Sequence, residues 1–174
     1  MKTTGSAIRT YGGNLFDFAH PEKSIISITD IAHSLSLLCR FAGHCRVFYS
    51  VSEHSIRVSH ACPKEHALWG LMHDASEAFA VDVPRPLKHL VNMEAYRAHE
   101  KRIQRAICAK FGMLPVEPIA VKEADNVLLA TEQRDLLKNS ANDIFSTPLK
   151  TQIRPWSSKK AERVFLNRFA ELTK

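Results

Sequence analysis

The chain has 174 residues, 45% of them hydrophobic and 24% charged, which are the proportions of an ordinary globular protein and exclude a disordered one. Its formal net charge of +6 favours anionic partners, but the basic residues are spread along the chain, which disfavours a basic tail for nucleic acid. No apolar run approaches the roughly 20 residues that span a bilayer, and residues 1–13 lack the apolar stretch of a signal peptide, so a cytoplasmic protein without a membrane partner is expected.

The length suits one domain over residues 1–174. Cys39, Cys45, Cys62 and Cys108 form no C-x-x-C pair and are expected to be free thiols in a reducing compartment. Residues 8–24 are irregular, with Tyr11-Gly12-Gly13-Asn14 as a turn or hairpin tip. The rest reads as helices. The first runs from about Thr29 to Arg40, with Ile31, Leu35 and Leu38 on one face. The second starts at Ser50, where Ser50 and Glu53 have capping-box spacing, and ends near Pro63. The third begins at Pro63 and runs to about Ala80. Val83-Pro84-Arg85-Pro86 is expected to be extended. A long helix covers about Asn92 to Phe111, where Gly112 can end it. Another covers Pro118 to Lys138, residues 139–156 read as a loop, and a last helix spans Ser157 to Leu172. The fold class is all-α, a helical bundle with a short irregular or hairpin N-terminal segment.

Polar residues on apolar faces carry the functional signal. Residues 67–79 are apolar nearly all round, yet His73, Asp74 and Glu77 interrupt them at spacings of one helical face. Buried without partners, such groups are costly, and a metal ion is the simplest compensation. His54 lies on the apolar stripe of the second helix, between Val51 and Val58, and Asp125 lies on that of the fifth, between Val121 and Leu128. Two histidines and two aspartates suit zinc, iron, cobalt or manganese. The bland alternative is a hydrogen-bonded core histidine at 54 and an aspartate at 125 that is half-exposed or paired with arginine.

These residues resemble the HD-domain phosphohydrolase family, whose signature is a His, an adjacent His-Asp pair on another helix, and a distant Asp. Val51-Ser52-Glu53-His54-Ser55 is similar to the first-histidine segment of bacterial HD-family 5′-deoxynucleotidases. His73-Asp74-Ala75-Ser76-Glu77, Asp82-Val83-Pro84-Arg85-Pro86-Leu87-Lys88 and Lys122-Glu123-Ala124-Asp125 are similar to their later segments. The interval from His54 to His73 is shorter than in those nucleotidases. Together with the short chain and Cys39-Arg40-Phe41-Ala42-Gly43-His44, it resembles small phage-type HD proteins, among them triphosphohydrolases that deplete dATP.

The resemblance implies an HD-domain bundle and a metal-dependent deoxynucleotide phosphohydrolase, located in a host cytoplasm if phage-encoded. Zn, Co or Mn would be held by His54, His73, Asp74 and Asp125, with Mg accompanying the substrate phosphates. Glu77 would handle a proton, or else orient a ligand histidine. Arg40 and Lys88 would meet phosphate, although Lys88 could be a solvated loop lysine. Asp82 would accept from the sugar 3′-hydroxyl or position water, or serve only as a turn residue. Phe41 would pack on sugar or base unless it is a core residue, and His44 would touch substrate. The favoured reaction splits dATP into deoxyadenosine and triphosphate, and removal of phosphate from a dNMP is the alternative. A non-catalytic nucleic-acid binder is the alternative of a different class. Related HD nucleotidases assemble, so a homo-oligomer is also expected.

Overall fold

The computed structural model describes residues 5–138 and 146–174. Its N-terminal segment is a small antiparallel hairpin, β1 (Ala7–Arg9) on β2 (Leu15–Asp17), in register Ala7↔Asp17, Ile8↔Phe16 and Arg9↔Leu15. Eight helices follow among the described residues: α1 (Ile28–Leu37), α2 (Val51–Ala61), α3 (Ala67–Met72), α4 (Glu77–Ala80), α5 (Arg85–Lys88), α6 (Glu94–Lys110), α7 (Ile119–Leu136) and α8 (Ser158–Leu172). The fold is mostly α with a short N-terminal hairpin, as the periodicity indicates. Of the predicted loop 139–156, residues 139–145 lie outside the described part; residues 146–156 carry no helix or strand. All four cysteines are free thiols.

The main core joins Phe16 of β2, Ile31 and Leu35 of α1, Ile56 of α2, Leu71 of α3, Ile107 of α6 and Phe165 of α8. These are the apolar positions at helical spacing, so burying them drives the helices together. A second cluster, Val58 with Val121, Ala124 and Leu128, seats α7 on α2. That contact brings the helix of Asp125 against the helix of His54.

Local signals set the helix ends. Ser50 Oγ accepts from Glu53 N at 3.1 Å and starts α2. The Glu53 side chain completes no capping box; it pairs with Arg57 and accepts from Trp156 N at 2.7 Å. At the end of α6, Gly112 takes φ +67 and Met113 N reaches Cys108 O at 2.8 Å, a Schellman closure.

Three elements depart from the sequence expectation. Helix α1 stops at Leu37, not Arg40, because Arg40 N donates to Tyr49 O at 2.9 Å and Cys39 bridges Ser50. The expected helix from Pro63 to Ala80 is broken over residues 73–76. In a continuous helix Ser76 N would donate to Met72 O. Here the Gln104 amide stands between them: Ser76 N donates to Gln104 Oε1 at 3.1 Å, and Gln104 Nε2 donates to Met72 O at 2.8 Å. The freed turn closes with shorter-range bonds, Ala75 N to Met72 O and Glu77 N to Asp74 O. Finally, Arg85 and Pro86 open the short α5 instead of extending, since proline is well suited to the first turn of a helix.

Candidate metal centre

His54 is the fourth residue of α2 and is fully buried. His73 and Asp74 come from the broken turn between α3 and α4, and Asp125 from the second turn of α7. Their donor atoms converge. One donor atom each from His54, His73 and Asp74 lies within 4.8 Å of the other two. His54 Nε2 is 3.2 Å from His73 Nε2, 3.6 Å from Asp74 Oδ2 and 3.4 Å from Asp125 Oδ1. His73 Nε2 is 3.2 Å from Asp74 Oδ2.

The opposite ring nitrogens explain how the rings are held. His73 Nδ1 donates to Gly70 O at 2.8 Å. His54 Nδ1 donates to Glu132 Oε1 at 2.6 Å. With Nδ1 carrying the proton, each Nε2 can turn a lone pair inward. Two imidazole nitrogens and the Asp74 carboxylate oxygen facing one another, with Asp125 Oδ1 against His54, call for a positive charge among them. The donor set therefore fits a divalent ion of the zinc, cobalt or manganese kind.

The electrostatics agree. Burial alone would lower the His73 ring, but Asp74 and Asp125 raise it to about 9. Burial alone would raise Asp74 and Asp125, yet the two histidines hold both well below the usual carboxylate range. Asp125 Oδ2 is also held by Lys122 Nζ at 2.9 Å and by Arg85 at 3.0 Å, which leaves Oδ1 turned to His54.

His73, Asp74 and Asp125 line a cleft of about 1050 Å³, with Arg40, Phe41, Glu77, Asp82 and Lys88, and His54 is buried behind its wall. Burial, Asp74 and Asp82 push the Glu77 carboxyl well above its ordinary value. Glu77 Oε1 accepts from Lys88 Nζ at 3.1 Å, while its Oε2 is buried without a partner among the described residues. Lys88 also donates to Glu100 at 2.6 Å, so two of its three donors are engaged and one is left for another acceptor. Asp82 is half-buried in the cleft wall, and burial raises its carboxyl.

Two expectations change. His44 does not line the cleft; it is exposed beyond a turn in which Phe41, Ala42 and Gly43 all take positive φ, and that turn leads the chain outward. Arg40 does line the cleft, but its guanidinium is anchored in the wall. Its Nε donates to Glu132 Oε2 at 3.1 Å, and its NH1 stands 3.5 Å from Asp74. Glu132, Arg85 and Glu100 were not singled out from the sequence. Glu132 follows Asp125 by two helical turns on α7 and so interrupts the same apolar stripe, which is the signal for it in the sequence.

No family model matches the chain. The uncharacterized protein YfdR of Escherichia coli K12 is 47% identical over 131 residues, which is 75% of this chain and 72% of YfdR. The chain belongs to the YfdR family. A second member, an uncharacterized protein of Rhodobacter capsulatus, is 30% identical over 167 residues, 90% of this chain and 78% of that protein. Both relatives carry names without an activity. Among the described residues no helix is long and apolar enough to cross a membrane.

Proposed function

We propose that the chain is a divalent-metal-dependent phosphohydrolase of the HD type that acts on deoxynucleotides in the cytoplasm, splitting dATP into deoxyadenosine and triphosphate. The observation that carries this reading is the clustering of His54, His73 and Asp74, with Asp125 against His54, at the wall of a cleft that also holds Glu77 and several cations. The four residues would hold the ion, which when bound would lower the pKa of a water and polarise a phosphoryl oxygen. Glu77 would take or return the proton at Oε2, the oxygen that Lys88 does not occupy. Lys88 would offer its remaining N–H to phosphate. Lys101 and Arg105 line the same cleft and pair with no carboxylate among the described residues, which favours a substrate with several phosphates over one. Asp82 would accept from the sugar hydroxyl, and Phe41 would pack beside it.

Product analysis tests this. Chelated protein resupplied with Co²⁺ and Mg²⁺ should release deoxyadenosine and intact triphosphate from dATP, and Asp74→Asn should abolish that turnover. Deoxyadenosine and orthophosphate from dAMP, with dATP untouched, would replace the substrate by a monophosphate. Turnover absent with every metal, alongside DNA binding that weakens steeply with salt and ignores Asp74→Asn, would mean a nucleic-acid binder.

A further inference from the structure

Glu132 is a fully buried carboxylate directly behind His54. Three donors meet it and no water is needed to satisfy it. His54 Nδ1 lies 2.6 Å and Tyr49 Oη 2.9 Å from Oε1, and Arg40 Nε lies 3.1 Å from Oε2. A carboxylate has no proton to give, so the proton between it and His54 sits on the ring at Nδ1. That leaves Nε2 as the atom that faces His73, Asp74 and Asp125. His73 reaches the same state by a different route, through the backbone carbonyl of Gly70. A backbone carbonyl comes with the fold, whereas Glu132 is a side chain that the sequence had to supply.

We infer that Glu132 is a positioning residue of the metal centre: with Arg40 and Tyr49 it locks the orientation and tautomer of His54, and so sets how tightly a divalent ion is held. The inference rests on the metal-binding reading above. Through Arg40, which spans Glu132 Oε2 and Asp74 Oδ2, the same carboxylate also ties α7 to the turn that carries His73 and Asp74. Arg40 thereby acts on the site from within its wall.

The test is a Co²⁺ titration of the full chain, read by the visible absorbance of the bound ion and by competition with a chelator. Glu132→Gln keeps the shape of the side chain and removes its charge; it should weaken Co²⁺ binding about 10- to 100-fold. Glu53→Gln is the control. Glu53 is equally buried, lies next to His54 in the sequence and pairs with Arg57 and Trp156 N, away from the cluster. It should lower the melting temperature and leave Co²⁺ affinity within about twofold of the parent. Equal Co²⁺ affinity in Glu132→Gln and the parent, or equal losses in Glu132→Gln and Glu53→Gln, would overturn the inference and leave the metal reading standing. A parent that binds no Co²⁺ would overturn both. If Glu132→Gln does not fold, the zinc-loaded parent decides by NMR: the His54 Nδ1 proton should be protected from exchange. Exchange as fast as at the exposed ring of His99 would overturn the inference.

Discussion

At the scale of single residues, the site is built from groups that would destabilise the core if left alone. His54, Asp125 and Glu132 sit at or near zero exposure, and each survives there because of its partners: His54 lies between the two carboxylates, Lys122 and Arg85 hold Asp125, and Arg40 and Tyr49 hold Glu132. In the metal-free protein a proton on His73 plays part of that role. Its ring titrates near 9 instead of at the ordinary 6.5, so the folded state holds a proton that the unfolded state releases. The resulting stability is fully present below about pH 6.5 and is lost as pH rises towards 9. Urea unfolding of the chelated protein should show this fall, and His73→Ala should lack it. Metal competes for the same nitrogen, so metal affinity should rise over the interval in which metal-free stability falls. His54, His73, Asp74 and Asp125 were legible in the sequence as a cluster because each breaks an apolar stripe. Glu132 broke one as well. Arg40 did not announce its partners, because a loop residue has no periodicity from which a face can be read.

At the scale of elements, two residues outside the cluster, Gly70 and Gln104, decide where its members stand. Gly70 is the close-approach point between α2 and α3. A Cβ there would lie 2.7 Å from Cys62 Sγ and 3.1 Å from Ser59 Cα, and the Gly70 carbonyl also holds the His73 ring. Gly70→Ala should therefore push α3 off α2 at a cost of about 1–3 kcal/mol, measurable by urea unfolding, and should weaken Co²⁺ binding. Gln104 acts across a longer distance, from α6 into the turn that carries His73 and Asp74. Gln104→Leu removes the amide that separates Ser76 N from Met72 O. The turn should then close towards a continuous helix, with Co²⁺ affinity falling more than the melting temperature suggests. Affinity equal to the parent would mean that the turn is broken for reasons of its own. Helices α2, α6, α7 and α8 were readable to within a few residues from caps and periodicity. The break after α3 was not, because the group that causes it lies about thirty positions further along the chain.

At the scale of the molecule, the ion that the site fits would join α2, α7 and the turn after α3, adding to the hydrogen bonds and ion pairs that already link them. Binding should therefore stabilise the whole fold. At a free Co²⁺ concentration of 100 times Kd the gain is about 2.7 kcal/mol. For a chain of this size that is a rise in melting temperature of roughly 5–11 °C. Calorimetry with and without chelator should show the shift in the parent and not in Asp125→Asn. Helix content, most helix limits and the residue types suited to a metal follow from the sequence itself, since capping, periodicity and the cost of burying charge act over a few neighbouring positions. Which carboxylate backs His54, where Arg40 is anchored, why the third helix breaks and how the cleft is walled were decided only by the tertiary structure. Each depends on groups far apart in the chain that meet once the apolar faces have packed.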